Sequence, residues 1–269
     1  MLLDHVVSVD PDLPRAAAAY RALGLPVRTG GRHRGQPTRN ELIPLSGGTY
    51  LELLGPTSVF VRPALRLVRR TPFWDGYLSG REPIPRRFLR LLAQGGGLSD
   101  FCLAATDLGA AVERVRGVGA AVSDPIRMTR TRPDGVELAW RLAVPDDPFL
   151  PFMVEDETPR HQRAPRPPDA DEGVLASVTT LTAAVPRLSA ALPALEALFD
   201  QRPRLEDGGA LAAFDLLHGV SVRMVERPDT GLAHRVELTL RVPGDGAPAG
   251  RWPVGVGPAA PSTPGGASG

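Results

Sequence analysis

The sequence predicts an α+β fold made of tandem β-α-β-β-β modules whose curved sheets enclose a cleft. Three observations predict it. The strand-like stretch Leu2–Val9 is echoed at Leu98–Ala105. Each copy leads into an Asp-Leu pair, an Ala-rich amphipathic stretch and then glycine: Asp12-Leu13 up to Gly24, and Asp107-Leu108 up to Gly117 and Gly119. Further strand-like runs follow each helix, giving a β-α-β-β-β order twice. A repeat on this scale says more about fold than any single element.

In the first copy, Leu3, His5, Val7 and Val9 alternate on one strand face. Asp10-Pro11-Asp12 breaks the strand, and Asp12 is a good N-cap for a helix over about Leu13–Leu23, which Gly24 ends. Val27–Thr29 reads as a short strand and residues 30–37 as a loop. Glu41–Leu45 and Thr49–Leu54 are strands joined by a Ser46-Gly47-Gly48 turn, where glycine permits positive φ.

Residues 57–96 interrupt the pattern. Val59–Arg70 suits strand or helix, Thr71–Tyr77 reads as an aromatic-rich loop, and Ile84–Leu92 as a short helix. The second copy then runs through a helix near Leu108–Val115, a strand near Ala120–Ser123, and a strand pair at Ile126–Thr131 and Val136–Val144. Asp134-Gly135 turns that pair, and a last strand follows at Leu150–Glu155.

The expected organisation is paired modules over 1–160 (1–56 and 97–157), a Pro- and charge-rich linker over 161–173, and a third, partial module over 174–243. In that third unit Leu188, Leu192, Leu195 and Leu198 have helical spacing. Residues 244–269 are rich in Gly, Pro, Ala and Ser and are expected to be disordered.

Composition narrows the function. The 269 residues carry a net charge of +1, so no global field favours nucleic acid or an anionic membrane as partner. All 31 basic residues are arginine. No stretch approaches the ~20 apolar residues of a membrane helix. The N-terminus lacks a basic segment followed by an apolar run, and a cytoplasmic location is expected. The single cysteine, Cys102, excludes an intrachain disulfide and a Cys-based zinc site; on an apolar strand it reads as a core thiol. Nucleophile elbow, P-loop and dinucleotide fingerprints are missing from their required contexts.

Several stretches together resemble the glyoxalase-like domain family of the vicinal oxygen chelate superfamily, which includes glyoxalases, extradiol dioxygenases and drug-resistance binding proteins. They are Leu3-Asp4-His5-Val6-Val7, Gly30-Gly31-Arg32-His33, Thr38-Arg39-Asn40 and Thr49-Tyr50-Leu51-Glu52-Leu53. In the second repeat they are Arg130–Gly135, Leu138–Leu142 and Leu150–Glu155. The likeness covers about residues 2–160. It implies a cleft in which residues of the first and last strands of each module hold one divalent ion (Mn, Fe, Ni, Zn or Mg) against two oxygens of a small substrate.

Aligning Asp4 with Asp100 puts Phe101 in the place of His5, so the resemblance implies His5, Glu52 and Glu155 as metal ligands, with Glu52 also catalytic. His33, Arg39, Asn40, Phe101, Trp140 and Arg141 are read as candidate ligand contacts, with an exposed His33, a strand start at Arg39 and Asn40, a core Trp140 and an Arg141–Glu155 pair as the plainer alternatives. The residues read alone offer plainer roles. His5 suits a core histidine bonded to a carboxylate. Glu52 needs a metal or an arginine to offset its burial. Glu155, followed by Asp156 and Glu157, suits a solvated acidic cluster.

Two functions follow. One is a glyoxalase-like protein binding a small oxygenated metabolite, with metal-assisted isomerase, lyase or dioxygenase chemistry. The other is a metal-free protein that binds or sequesters a small hydrophobic or aromatic molecule. In either case the expected assembly is a monomer or homodimer.

Overall fold

The computed structural model describes residues 1–32, 37–131, 134–163, 175–242 and 256–258. The first module runs β1 (Leu2–Val9), α1 (Leu13–Ala22), β2 (Arg28–Arg32), β3 (Thr38–Pro44) and β4 (Tyr50–Pro56). Asp12 caps α1 by accepting from the Arg15 amide at 3.1 Å, and α1 buries Leu13, Ala17 and Tyr20. Gly47 and Gly48 both hold φ of 71° in the β3–β4 turn.

The second module runs β5 (Gly97–Ala104), α5 (Leu108–Gly117), β6 (Ile126–Thr131), β7 (Glu137–Ala143) and β8 (Phe152–Asp156). Asp107 caps α5 through the Ala110 amide at 2.9 Å. The strand expected at Ala120–Ser123 is only an isolated bridge between Val122 and Pro145.

Between the modules lie α2 (Val61–Val68), α3 (Trp74–Ser79) and α4 (Pro83–Gln94). The stretch expected as an aromatic loop is therefore partly helical. Trp74 and Leu78, one turn apart, bury themselves and fix that turn.

The two modules share one eight-stranded sheet, ordered β2-β3-β4-β1-β5-β8-β7-β6. β1 and β5 meet antiparallel at its centre, and the pairing is two-fold symmetric. Leu2 faces Ala104 and Val9 faces Gly97; His5 faces Cys102 and Val7 faces Asp100; Val6 and Phe101 face each other on the axis. Each strand carries one bulged residue, Asp4 in β1 and Ser99 in β5.

One sheet face packs Val6, Phe101, Leu103 and the buried sides of α1 and α5. The other packs Val7, Cys102, Phe152 and Val154 beneath apolar residues of α2, α3 and α4. The inserted helices thus cover part of the face on which the cleft opens.

A short helix, α6 (Arg160–Arg163), follows β8 inside the stretch expected as linker. A further unit runs β9 (Ser177–Val185), α7 (Leu188–Phe199), β10 (Arg204–Glu206), β11 (Leu211–Asp215) and β12 (Ser221–Glu226), then β13 (Val236–Arg241) and β14 (Val256–Pro258). Its sheet order is β10-β11-β12-β9-β13-β14. β12 lies parallel to β9 and β13 antiparallel to it, as β4 and β5 lie against β1. β14 falls within the tail expected to be disordered, yet it pairs with β13 and buries Val256.

Arg235 joins the two sheets. It is fully buried and donates to Asp100 at 3.0 Å and to the Ser99 carbonyl at 2.7 Å. Burial and the neighbouring Arg87 guanidinium lower its pKa to about 10, while Asp100 opposes that shift. Among the described residues, no helix is long and apolar enough to cross a membrane.

Candidate functional site

A cavity of about 130 Å³ opens on the face covered by the inserted helices. It exceeds what a single water needs. One wall comes from β1, β3 and β4 and carries His5, Asn40 and Glu52. The facing wall comes from β6 and β7 and carries Met128, Arg130 and Trp140. Apolar side chains fill the space between, among them Leu42, Phe88, Leu142 and Phe152.

His5 is 5% exposed and tightly oriented. Its ring stacks on Tyr50 at 4.7 Å and meets the edge of Phe152 at 5.3 Å. Nδ1 lies 2.7 Å from Asp4 Oδ2. A carboxylate can only accept here, so Nδ1 carries the hydrogen; in the neutral ring Nε2 is then an acceptor. Nε2 lies 3.6 Å from Glu52 Oε2. The other Glu52 oxygen accepts from Asn40 Nδ2 at 2.6 Å. Gly30 makes room for that amide: a Cβ there would sit 2.2 Å from Asn40 Oδ1.

Asp4 holds this arrangement from behind. Arg163 donates to it at 2.8 and 3.1 Å, and Arg160 lies 3.0 Å away. Burial by itself would raise the Asp4 carboxyl, but Arg163 and the His5 hydrogen bond outweigh it and hold the group well below the usual carboxylate range. Arg163 also donates to Asp156 at 2.5 and 2.9 Å and to Tyr50 Oη at 3.1 Å. Burial opposes the Arg163 charge; Asp4, Tyr50 and Asp156 more than restore it and raise its pKa. Burial pushes the Tyr50 hydroxyl well above its ordinary range.

The sheet register corrects the expected ligand set. By the two-fold pairing, the counterpart of His5 is Asp100, and Phe101 is the counterpart of Val6. Val7 pairs with Glu52 and its counterpart Cys102 pairs with Phe152, so Phe152 stands where Glu52 does. Phe101 points into the core with α1 and α5 and does not touch the cleft. Glu155 lies beside Val154 on the opposite face of β8. It accepts from Arg141 at 2.5 Å and from the Leu108 amide at 3.4 Å.

Arg141 and Arg39 each alternate with a cleft residue, Trp140 and Asn40, and face away from it. His33 lies outside the described residues. The structure therefore gathers His5, Asn40, Glu52 and Trp140, and leaves out Phe101, Arg39, Arg141 and Glu155. Sequence reasoning placed Tyr50 on the pocket in the metal-free reading, and missed Asp4, Phe152, Arg130 and Arg163. The period of β6 could have found Arg130; no local signal marks Arg163.

The donors present fit only part of the family's metal site. His5 Nε2 and Glu52 Oε2 lie 3.6 Å apart, and with a neutral imidazole the two are acceptors that suit a shared cation. The other half is closed. Asp100 is bound by Arg87 at 2.6 and 2.8 Å and by Arg235, and the Arg87 guanidinium lies 5.3 Å above the Phe152 ring. Asp4, His5 and Cys102 also place ligand atoms within 4.8 Å of one another. That group is a poor metal site, because Asp4 is bound by two arginines and burial pushes the Cys102 thiol well up. Two donors fall short of the three protein ligands usual at a catalytic metal centre.

Paired β-α-β-β-β modules sharing one sheet, with a buried His-carboxylate pair in the cleft, define a protein of the vicinal oxygen chelate class. The family model described as "glyoxalase-like domain" matches residues 3–199, and the chain belongs to that family. A search of curated proteins finds no match.

Among solved structures, a hypothetical protein from Staphylococcus aureus is similar over 96% of this chain and 99% of its own, at 16% identity and a TM-score of 0.68. A methylmalonyl-CoA epimerase from Mycobacterium tuberculosis matches 57% of this chain and 85% of its own, at 18% identity and a TM-score of 0.34. A halotolerant catechol dioxygenase matches 90% of this chain and 70% of its own, at 10% identity and a TM-score of 0.41. Identities this low speak to fold alone.

Proposed function

We propose that this protein binds a small oxygenated metabolite in the cleft of the eight-stranded sheet, using its own side chains and no resident metal ion. The observation that carries the reading is the cavity's polarity. One end holds His5, Asn40 and Glu52, and the rest is mostly apolar and aromatic. His5 Nε2, an acceptor with Asp4 behind Nδ1, is placed to take a hydrogen bond or a proton from a ligand hydroxyl. Asn40 fixes the Glu52 carboxylate beside it. Trp140, Phe88 and Phe152 suit a flat or apolar body.

The facing pair of His5 Nε2 and Glu52 Oε2 favours a second reading, in which these two residues hold a divalent ion and the protein is a metal-assisted isomerase, lyase or dioxygenase. A bound ion would supply Lewis acidity toward two substrate oxygens.

Metal analysis of protein purified without chelator separates the two. The first reading expects well under one equivalent of Mn, Fe, Ni or Zn, and the same content in His5→Ala. Stoichiometric metal that disappears in His5→Ala overturns it in favour of the second.

A further inference from the structure

The two walls of the cavity are chemically unlike, and Arg130 makes the difference. β6 is the edge strand, four strands from β1 in the sheet order. On a flat sheet that separation is about 19 Å at ~4.8 Å per strand. Both strands nevertheless line one cavity, so the sheet curls and sets Arg130 across from the His5 and Glu52 wall.

The orientation follows from the strand. Ile126, Met128 and Arg130 are half-buried, while Arg127, Thr129 and Thr131 are exposed. Met128 pairs with Trp140, and both line the cavity; Arg130 is the next residue on that face. Arg163, the other arginine lining the cavity, is bound by Asp4, Asp156 and Tyr50 and belongs to the scaffold. Arg130 also has a contact within the chain. A guanidinium fork matches a carboxylate in two parallel bonds, and the apolar surroundings strengthen such a pair.

We propose that Arg130 is the specificity residue for a ligand carboxylate. The ligand class is then a small monocarboxylate with an apolar or aromatic body, its oxygenated end toward His5 and Glu52 and its carboxylate toward β6. The inference rests on the cleft being a small-molecule site, as proposed above, and it holds with or without a metal ion.

The test uses the full chain and two probes of similar shape, phenylacetate and its neutral counterpart phenylacetamide, titrated calorimetrically. Wild type is expected to prefer phenylacetate by about tenfold or more, the scale of one charge-assisted contact. Arg130→Gln is expected to bring the two probes within about twofold by weakening phenylacetate more than phenylacetamide. Arg130→Lys keeps the charge, serves as the control for folding, and is expected to retain part of the preference. Equal affinities in wild type, or a preference that survives in Arg130→Gln, overturns the role of Arg130 while the cleft reading stands. Binding of neither probe overturns both.

Discussion

Asp4→Asn tests whether the candidate site is held by its buried ion pairs. The substitution keeps the shape of the side chain and removes its charge. Asp4 is fully buried, with Arg163 at 2.8 and 3.1 Å, Arg160 at 3.0 Å and His5 Nδ1 at 2.7 Å. Stripping one partner from a buried ion pair costs about 3–5 kcal/mol. Here Asp156 still accepts from Arg163 at 2.5 and 2.9 Å, so the expected loss is at the lower end, about 3 kcal/mol.

The acid dependence gives an independent readout. The folded-state pKa of Asp4 lies below its ordinary value of 3.8, so its contribution is fully present above that value and is lost as pH falls toward the depressed one. Wild type should lose stability steeply below about pH 4, and Asp4→Asn should show a shallower slope there. Urea unfolding across pH 2 to 7 measures both quantities. A loss under about 1 kcal/mol at neutral pH, or an unchanged acid slope, would refute the reasoning.

Three further outcomes follow from the same physics. Asp100 is one carboxylate between two buried guanidiniums, so Asp100→Asn should destabilise more than Arg235→Met, which leaves the Arg87–Asp100 pair intact; urea midpoints that reverse this order would be inconsistent with it. Cys102 is fully buried and its thiol pKa is pushed well up, so a thiol reagent at mildly alkaline pH should label it only after denaturant is added; rapid native labelling would contradict that placement. Removing residues 243–269 takes β14 from β13, and scanning calorimetry should show the melting temperature falling by roughly 4 °C; no change would mean the β13 edge does not need that strand.

Much of the architecture was legible in the sequence because local chemistry dictates it. Period-two alternation marked β1, although the bulge at Asp4 turns Leu3 to the face opposite Val7 and Val9. Asp12 and Asp107 each cap a helix where an Asp-Leu pair opens it. Gly47, Gly48 and Gly135 take positive φ at the predicted turns. The inserted helices were harder, because Phe73 and Tyr77 are exposed while Trp74 and Leu78 are buried, a division set by contacts far along the chain.

The site was only half legible, and the cause is strand register. Aligning Asp4 with Asp100 is reasonable by residue type. Paired strands instead align His5 with Asp100 and Glu52 with Phe152. Phe101 lies one residue from the true counterpart of His5 and Glu155 three residues from that of Glu52; an odd shift sends a side chain to the opposite face, so both face away from the cleft.

The sequence by itself determined the repeated module and its helix caps and turns, since each depends on neighbours a few residues away; His5 and Glu52, far apart in the chain, entered only through the family resemblance. Only the tertiary structure decided what stands opposite them. Side-chain facing across β1 and β5 depends on the bulges at Asp4 and Ser99. The partners of Asp4 and Asp100 include Arg163 and Arg235, which lie 159 and 135 residues along the chain from them. Strand pairing and charge burial act across such distances, and no local pattern in the sequence records them.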